Sequence, residues 1–187
     1  MLAYVFWHWP RPDIGAATYE TAQRRFHAAL AAAPPPGFTR SHSAALHGAP
    51  WAAHGGDAYE DWYLVDASAA LDPLNQAAVS ASRQAPHDAA AALAAGGAAG
   101  IYALRAGAAL AAPTHATWFA KPPSMTYAQL DTALRELVAA GACLWMRYMV
   151  LGPTPEFCLH SGEELRLPRP LEGIGLSLRT VWPNGRL

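Results

Sequence analysis

The chain is poor in charge, and the charge it has is balanced: 13 lysines and arginines against 14 aspartates and glutamates in 187 residues, 14% in all, for a formal net charge of −1. No basic run is available to neutralise a line of phosphates, so nucleic acid is not an expected partner. Nor is there a stretch of about eighteen apolar residues free of glycine, proline and charge, which argues against a membrane-spanning helix. Met1-Leu2-Ala3-Tyr4 lacks the basic leader of a secretory signal, and Arg11 arrives only after Pro10; the expectation is a soluble cytoplasmic protein. Cysteine is scarce. Cys143 and Cys158 form no CxxC and read as small buried apolar side chains in a reducing compartment. HExxH, HxH and GxSxG are all missing, and Gly96-Gly97-Ala98-Ala99-Gly100 precedes a strand instead of joining strand to helix, the wrong context for a phosphate cradle. No metal and no required cofactor are expected.

What the chain has in quantity is apolar and aromatic material, 52% hydrophobic residues and 7 tryptophans, ample for a core. Leu2 to Trp9 is β-branched and aromatic and stops at Pro10, the pattern of a strand. From Thr18 the apolar spacing changes to three and four through Tyr19, Ala22, Phe26, Ala29 and Leu30, predicting a helix that ends at Pro34-Pro35-Pro36-Gly37. Phe38 to His47 and Tyr59 to Val65 read as an antiparallel pair of strands. Leu71 to Ser82 and Pro86 to Ala95 read as helix, and Gly100 to Arg105 as a fourth strand. After an alanine- and glycine-rich linker from Ala106 to Pro113 the order begins again: strand 114–121, helix 126–140, strands 142–151 and 155–160, and a last strand 176–182. The second long helix is missing from this later half.

Individual residues repeat as well. Trp7 falls on Trp118 and Pro12 on Pro123; after a three-residue loop deletion Tyr19 falls on Tyr127 and Phe26 on Leu134; further on, Gly48 matches Gly152 and Glu60 matches Glu156. A tandem βαββ(α)β chain of this kind resembles the dimeric α+β barrel superfamily, with both units in one chain. The resemblance implies an α+β fold of two fused ferredoxin-like units, 1–107 and 108–187, whose antiparallel sheets face each other. Members of that superfamily include cofactor-free monooxygenases, isomerases, lactonizing enzymes and haem enzymes such as chlorite dismutases, so the fold does not select the chemistry. Fusion also removes the need to dimerise, and a monomer or weak homodimer is expected.

Two facing sheets would enclose an aromatic-lined pocket, and polar residues on their inner faces are the candidates. On the first strand Val5, Trp7 and Trp9 form an apolar row suited to packing on helices, which turns the row Tyr4, Phe6, His8 toward the space between sheets; Lys121 ends the equivalent row of the second half. Glu60 and Glu156 fall at matching places in the two halves, and Arg147, between Trp145 and Met149, could offset a buried carboxylate. Trp62 and Trp145 are suited to line a site for a planar ligand. The expected ligand set is therefore His8, Glu60, Trp62, Lys121, Trp145, Arg147 and Glu156. Together they suggest a small-molecule-binding or accessory protein for an aromatic or carboxylate ligand. The alternative is a cofactor-independent monooxygenase or isomerase using His8 or Glu60 as general base.

Overall fold

The computed structural model describes residues 1–183, and of His54 only the backbone. Among the described residues there are nine strands and four α-helices. The strands are β1 (Leu2–Pro10), β2 (Phe38–His47), β3 (Asp57–Val65), β4 (Ala94–Ala106), β5 (His115–Phe119), β6 (Cys143–Arg147), β7 (Phe157–Ser161), β8 (Gly173–Ser177) and β9 (Arg179–Trp182). The helices are α1 (Ala16–Ala32), α2 (Leu71–Ala78), α3 (Gln84–Ala91) and α4 (Tyr127–Ala139). The fold is α+β with one large antiparallel sheet, in the order β8-β5-β7-β6-β4-β1-β3-β2-β9.

Two separate facing sheets are not what forms. β4 pairs with β6 in the register Tyr102↔Arg147 to Ala106↔Leu144, which makes the strands of both halves continuous. The predicted last strand is also two. β8 pairs with β5 at one end of the order and β9 with β2 at the other, with only Leu178 between them. Two ends joined by one residue require the sheet to bend round on itself, and the aromatic contacts report that bend: Trp7 of β1 and Trp118 of β5, with three strands between them in the order, have ring centroids 5.5 Å apart.

The inward face of this curved sheet is the main core. Val5, Trp7, Trp62, Leu64, Tyr102, Trp118, Trp145 and Cys158 all belong to one buried cluster. Helices cover the outward face. Phe26 and Leu30 of α1 and Leu74 of α2 pack with Leu2, Tyr63 and Val65, while Leu130 and Leu134 of α4 pack with Phe119, Leu144, Phe157 and Leu159. This reverses the side assignment expected for β1. The apolar row Val5, Trp7 fills the interior, and Tyr4, Phe6 and His8 face the helices. The cause is volume. A wide curved sheet leaves space inside that tryptophans largely fill, whereas the helices over the first half are rich in alanine and leave room for a polar row beneath them.

β4 extends six residues further toward the N-terminus than its apolar pattern suggested, because Gly96 and Gly97 let it run flush against β1. A Cβ on Gly97 would stand 2.5 Å from the Phe6 ring and 2.9 Å from the Trp7 carbonyl oxygen. Gly97→Ala is therefore expected to cost about 1–3 kcal/mol through overpacking, measured as a lowered midpoint in urea unfolding. Helix α4 matches the predicted span to within a residue at each end, and its start is fixed by Thr126 as N-cap with Gln129 closing a capping box.

Candidate functional site

The stripe Tyr19, Gln23, Phe26, His27, Leu30 is the buried face of α1, set by three- and four-residue spacing. It lies over the outward rows of β1 and β3, which carry Phe6 and His8, and Tyr59, Asp61 and Tyr63; register brings them side by side, Phe6↔Asp61 and His8↔Tyr59. Between this surface and the helices is a cavity of about 470 Å³. Tyr4, Phe6, Phe26, Leu74 and Ile101 give it apolar walls, and His8, Tyr19, Gln23, Asp61 and Tyr63 one polar side. Ala78, Ala90, Ala91 and Ala94 line it where larger side chains would fill it, so the alanine-rich segment that looks featureless in the sequence is what leaves the volume.

At the polar side Asp61 is the centre. Its Oδ2 lies 3.2 Å from Nε2 of His8 and 3.2 Å from Nε2 of His27, and it accepts the Tyr63 hydroxyl at 2.9 Å. His8 Nδ1 meets the Tyr19 hydroxyl at 2.7 Å, and His27 Nδ1 meets Ser41 Oγ at 2.8 Å. The five groups thus form a chain from Tyr19, at the cavity, to Ser41 on β2. His8 and Asp61 are each 1% exposed and His27 0%. Burial by itself would push the Asp61 carboxyl up; His27 and His8 outweigh it and hold the group well below the usual carboxylate range. Burial, reinforced by the Asp61 charge, pushes the Tyr19 and Tyr63 hydroxyls up, so both stay protonated and able to donate.

Glu60, one residue away, points to the opposite face of β3. It is fully buried in the interior, accepts a bond from Trp7 Nε1 at 3.3 Å, and has His160 Nε2 at 3.8 Å from Oε1. Desolvation raises its pKa to about 7, against the smaller opposing pull of the Trp62 and Trp7 indoles. His42, stacked on Trp62 at 5.9 Å, is lowered by burial to about 3, and burial also holds His160 well below the usual histidine value. The sign of the pH effect follows. A carboxyl whose folded value is raised from 4.5 to about 7 contributes stability that is complete below 4.5 and is lost as pH rises to about 7. Glu60→Gln keeps the shape and removes that loss. Relative to wild type it should gain roughly 3 kcal/mol between pH 4.5 and 7, read by urea unfolding at a series of pH values.

The other expected ligand residues are dispersed. Trp62 and Trp145 are 0% and 1% exposed in the interior, 5.2 Å apart by ring centroids. Arg147 donates to the carbonyl oxygens of Gly152 and Thr154, clamping the loop after β6. Lys121 donates to the carbonyls of Pro122 and Met125, and Glu156 accepts the Tyr127 hydroxyl at 2.8 Å. Neither glutamate forms an ion pair with Arg147 among the described residues. Glu60 and Glu156 are not in matching places: Glu60 is the fourth residue of β3, whereas Glu156 precedes β7. His8 alone of the expected set lines the large cavity; Asp61, Tyr19 and His27 were not anticipated. Among the described residues no group of three or more histidine, cysteine and acidic side chains is arranged to hold a metal ion, and no helix is long and apolar enough to cross a membrane.

No protein-family profile matches the chain, and no curated protein matches it in sequence. Solved structures do match in fold. The "Putative monooxygenase" of Fusobacterium nucleatum subsp. nucleatum superposes with a TM-score of 0.61 at 9% identity, over 96% of this chain and 92% of that one. A "Putative Chlorite dismutase" superposes with a TM-score of 0.49 at 10% identity, over 96% and 94%. The chain shares its α+β fold with the first of these, and at such identities the likeness is one of fold alone.

Proposed function

We propose that the chain binds a small uncharged aromatic molecule in the cavity between the helices and the outward face of the sheet, and that His8 handles a proton on it. The observation that carries this reading is the coincidence of a 470 Å³ aromatic-walled cavity with a buried imidazole held between Tyr19 and Asp61. A histidine paired with a carboxylate at the wall of an apolar cavity is the arrangement acid–base chemistry uses. Neither lysine nor arginine is among the residues lining the cavity, whereas Asp61 and Asp72 both are, so an anionic carboxylate ligand would meet two like charges, and uncharged aromatic ligands are favoured over acidic ones.

The catalytic version of this reading is cofactor-independent oxygenation or isomerisation, favoured over passive binding by the Asp61–His8 pair. The fold likeness to a protein named as a monooxygenase is compatible with it and does not decide it. We further assign the chain to the dimeric α+β barrel superfamily, as two fused ferredoxin-like units over 1–107 and 108–187. The strand order supports this, β4-β1-β3-β2 being answered by β8-β5-β7-β6. A chain whose two end strands are joined through Leu178 offers little free sheet edge, in keeping with a monomer.

The test is thermal denaturation with 2-naphthol, 1,4-naphthoquinone and 2-naphthoate. The expected result is a rise in Tm of several degrees with the uncharged probes and little with naphthoate. Leu74→Trp, which fills the cavity, should abolish the rise. A panel in which no uncharged aromatic shifts the wild type, or in which Leu74→Trp binds as well, would overturn the assignment.

A further inference from the structure

Asp61 is a carboxylate 1% exposed at the wall of the cavity, and the structure limits what can balance a charge there. Among the described residues no lysine or arginine lies within ion-pairing distance of it; its ionic partners are His8 and His27. Of the other titratable groups, His87 and Asp72 line the same cavity, with His87 Nδ1 3.1 Å from Asp88, and the rest supply no positive charge. Tyr4, Tyr19, Tyr59 and Tyr63 have hydroxyls pushed up by burial. Glu60, on the far side of β3, is driven toward its neutral form, and so is His42 on β2. Both imidazoles present Nε2 to the same oxygen, Asp61 Oδ2, at the same 3.2 Å.

Charge counting then selects one state. With both imidazoles neutral the cluster carries −1; with both protonated it carries +1. Either leaves an unbalanced charge at a site no more than 2% exposed, which is costly. One proton between the two rings gives zero. The two rings are not equivalent: His8 lines the cavity, whereas His27 does not and is enclosed by Ser41, Tyr63 and Trp182.

We propose that His8, Asp61 and His27 form a single unit holding one shared proton, in which His27 is a positioning residue that carries the proton when His8 acts as a base and returns it when His8 acts as an acid. The transfer is balanced. Each neutral ring keeps its hydrogen on Nε2, toward Asp61 Oδ2, and the shared proton occupies Nδ1 of one ring or the other, beside Tyr19 on His8 or Ser41 on His27, so its position changes no net charge and leaves His8 Nδ1 open when His27 holds it. A neutral ligand X–H can then give its proton through the Tyr19 hydroxyl to His8 Nδ1; the ligand becomes −1 and the cluster +1, facing each other across one cavity wall. The role in acid–base chemistry rests on the function proposed above, whereas the shared proton does not.

The experiment is long-range 1H–15N correlation of the imidazole rings in the full chain at pH 7.5, which reads protonation and tautomer ring by ring. In the wild type, His8 and His27 should together show one imidazolium. In His27→Gln the proton has only His8 to occupy, and its imidazolium signal should rise about twofold from an evenly shared proton; in Asp61→Asn both rings should be neutral. His27→Asn serves as a second variant, and unchanged His42 and His160 signals certify the fold. Two neutral rings in the wild type, or a His8 signal unmoved in folded His27→Gln and His27→Asn, would overturn the proposal. A shared proton found in a protein that binds none of the naphthyl probes would uphold the unit and remove the cavity's assignment as a ligand site.

Discussion

Trp118→Ala should lower the free energy of unfolding by about 3–5 kcal/mol and the Tm by on the order of 10 °C. Trp118 comes from β5 yet packs on residues of the first half: its ring centroid lies 5.5 Å from Trp7, 5.3 Å from Trp51, 5.4 Å from Tyr102 and 6.2 Å from Trp62. It is 0% exposed, so truncation leaves a void that the surrounding rigid rings cannot close. Edge-on aromatic packing adds a further loss beyond buried area. The position also joins two stretches of sheet that strand pairing alone separates by several strands, so the variant should lose cooperativity together with stability. A broadened or two-step urea transition would report that loss, and a Trp118→Ala protein unfolding within about 1 kcal/mol of wild type would show that the interior is not packed as described.

Asp61→Ala is the second large effect, about 3–5 kcal/mol. The aspartate lies at ion-pair distance from two imidazoles and accepts a tyrosine hydroxyl in a buried site, and its removal leaves His8 and His27 without their ionic partner and Tyr63 without its acceptor. The milder Asp61→Asn separates charge from packing through pH. Asp61 has a folded value depressed from 3.8, so its contribution is present above 3.8 and lost as pH falls through the folded value. His42 and His160 are depressed from 6.5, so theirs is present above 6.5 and lost as pH falls below it. On acidification the Glu60 gain therefore offsets the His42 and His160 loss between about pH 7 and 4.5, the Asp61 loss follows as a second stage below 3.8, and Asp61→Asn should flatten only that lower stage. Urea midpoints measured from pH 7 to pH 3 distinguish the two stages.

The elements were legible in the sequence because their punctuation is strong. Pro10 and the Pro34–Gly37 run each impose a backbone state that tertiary context does not override. β2 was read over its observed span, Phe38–His47. Where short-range signals gave out, so did the reading. Gly96 and Gly97 have low strand propensity, and they belong to β4 only because Phe6 and Trp9 occupy the space a side chain would need, a fact about a strand some ninety residues away. Leu178 divides what reads as one strand, since the break comes from β8 and β9 having different partners.

The candidate site is half legible. The sequence puts His8 on the polar row of β1, but that row faces the helices and not the interior. Polarity alone points to the inter-sheet side, while the interior of this barrel-like sheet is large enough to demand tryptophans. The same pattern points to Glu60 over Asp61. In YEDWYLV the two acids fall on opposite faces, and Glu60 shares its row with Trp62 and Leu64, whereas Asp61 shares its row with Tyr59 and Tyr63. Pairing β1 with β3 places the latter row beside His8. His27 too could have been found, four residues after Gln23 and eight after Tyr19 on the same helical stripe. Arg147, Lys121 and Glu156 offered charge without any periodic signal of where it pointed, and they serve the loops and the surface.

The measurement closest to the centre of this account is a titration of 2-naphthol into the protein, followed through the imidazole resonances of His8, His42 and His160. His8 lies on the wall of the cavity under the helices, and His42 and His160 lie in the interior on the other face of the sheet. Saturable shifts at His8, accompanied by Tyr19, with His42 and His160 unmoved, are what the structure predicts; shifts at His42 and His160 with His8 silent would place the ligand inside the sheet and contradict it.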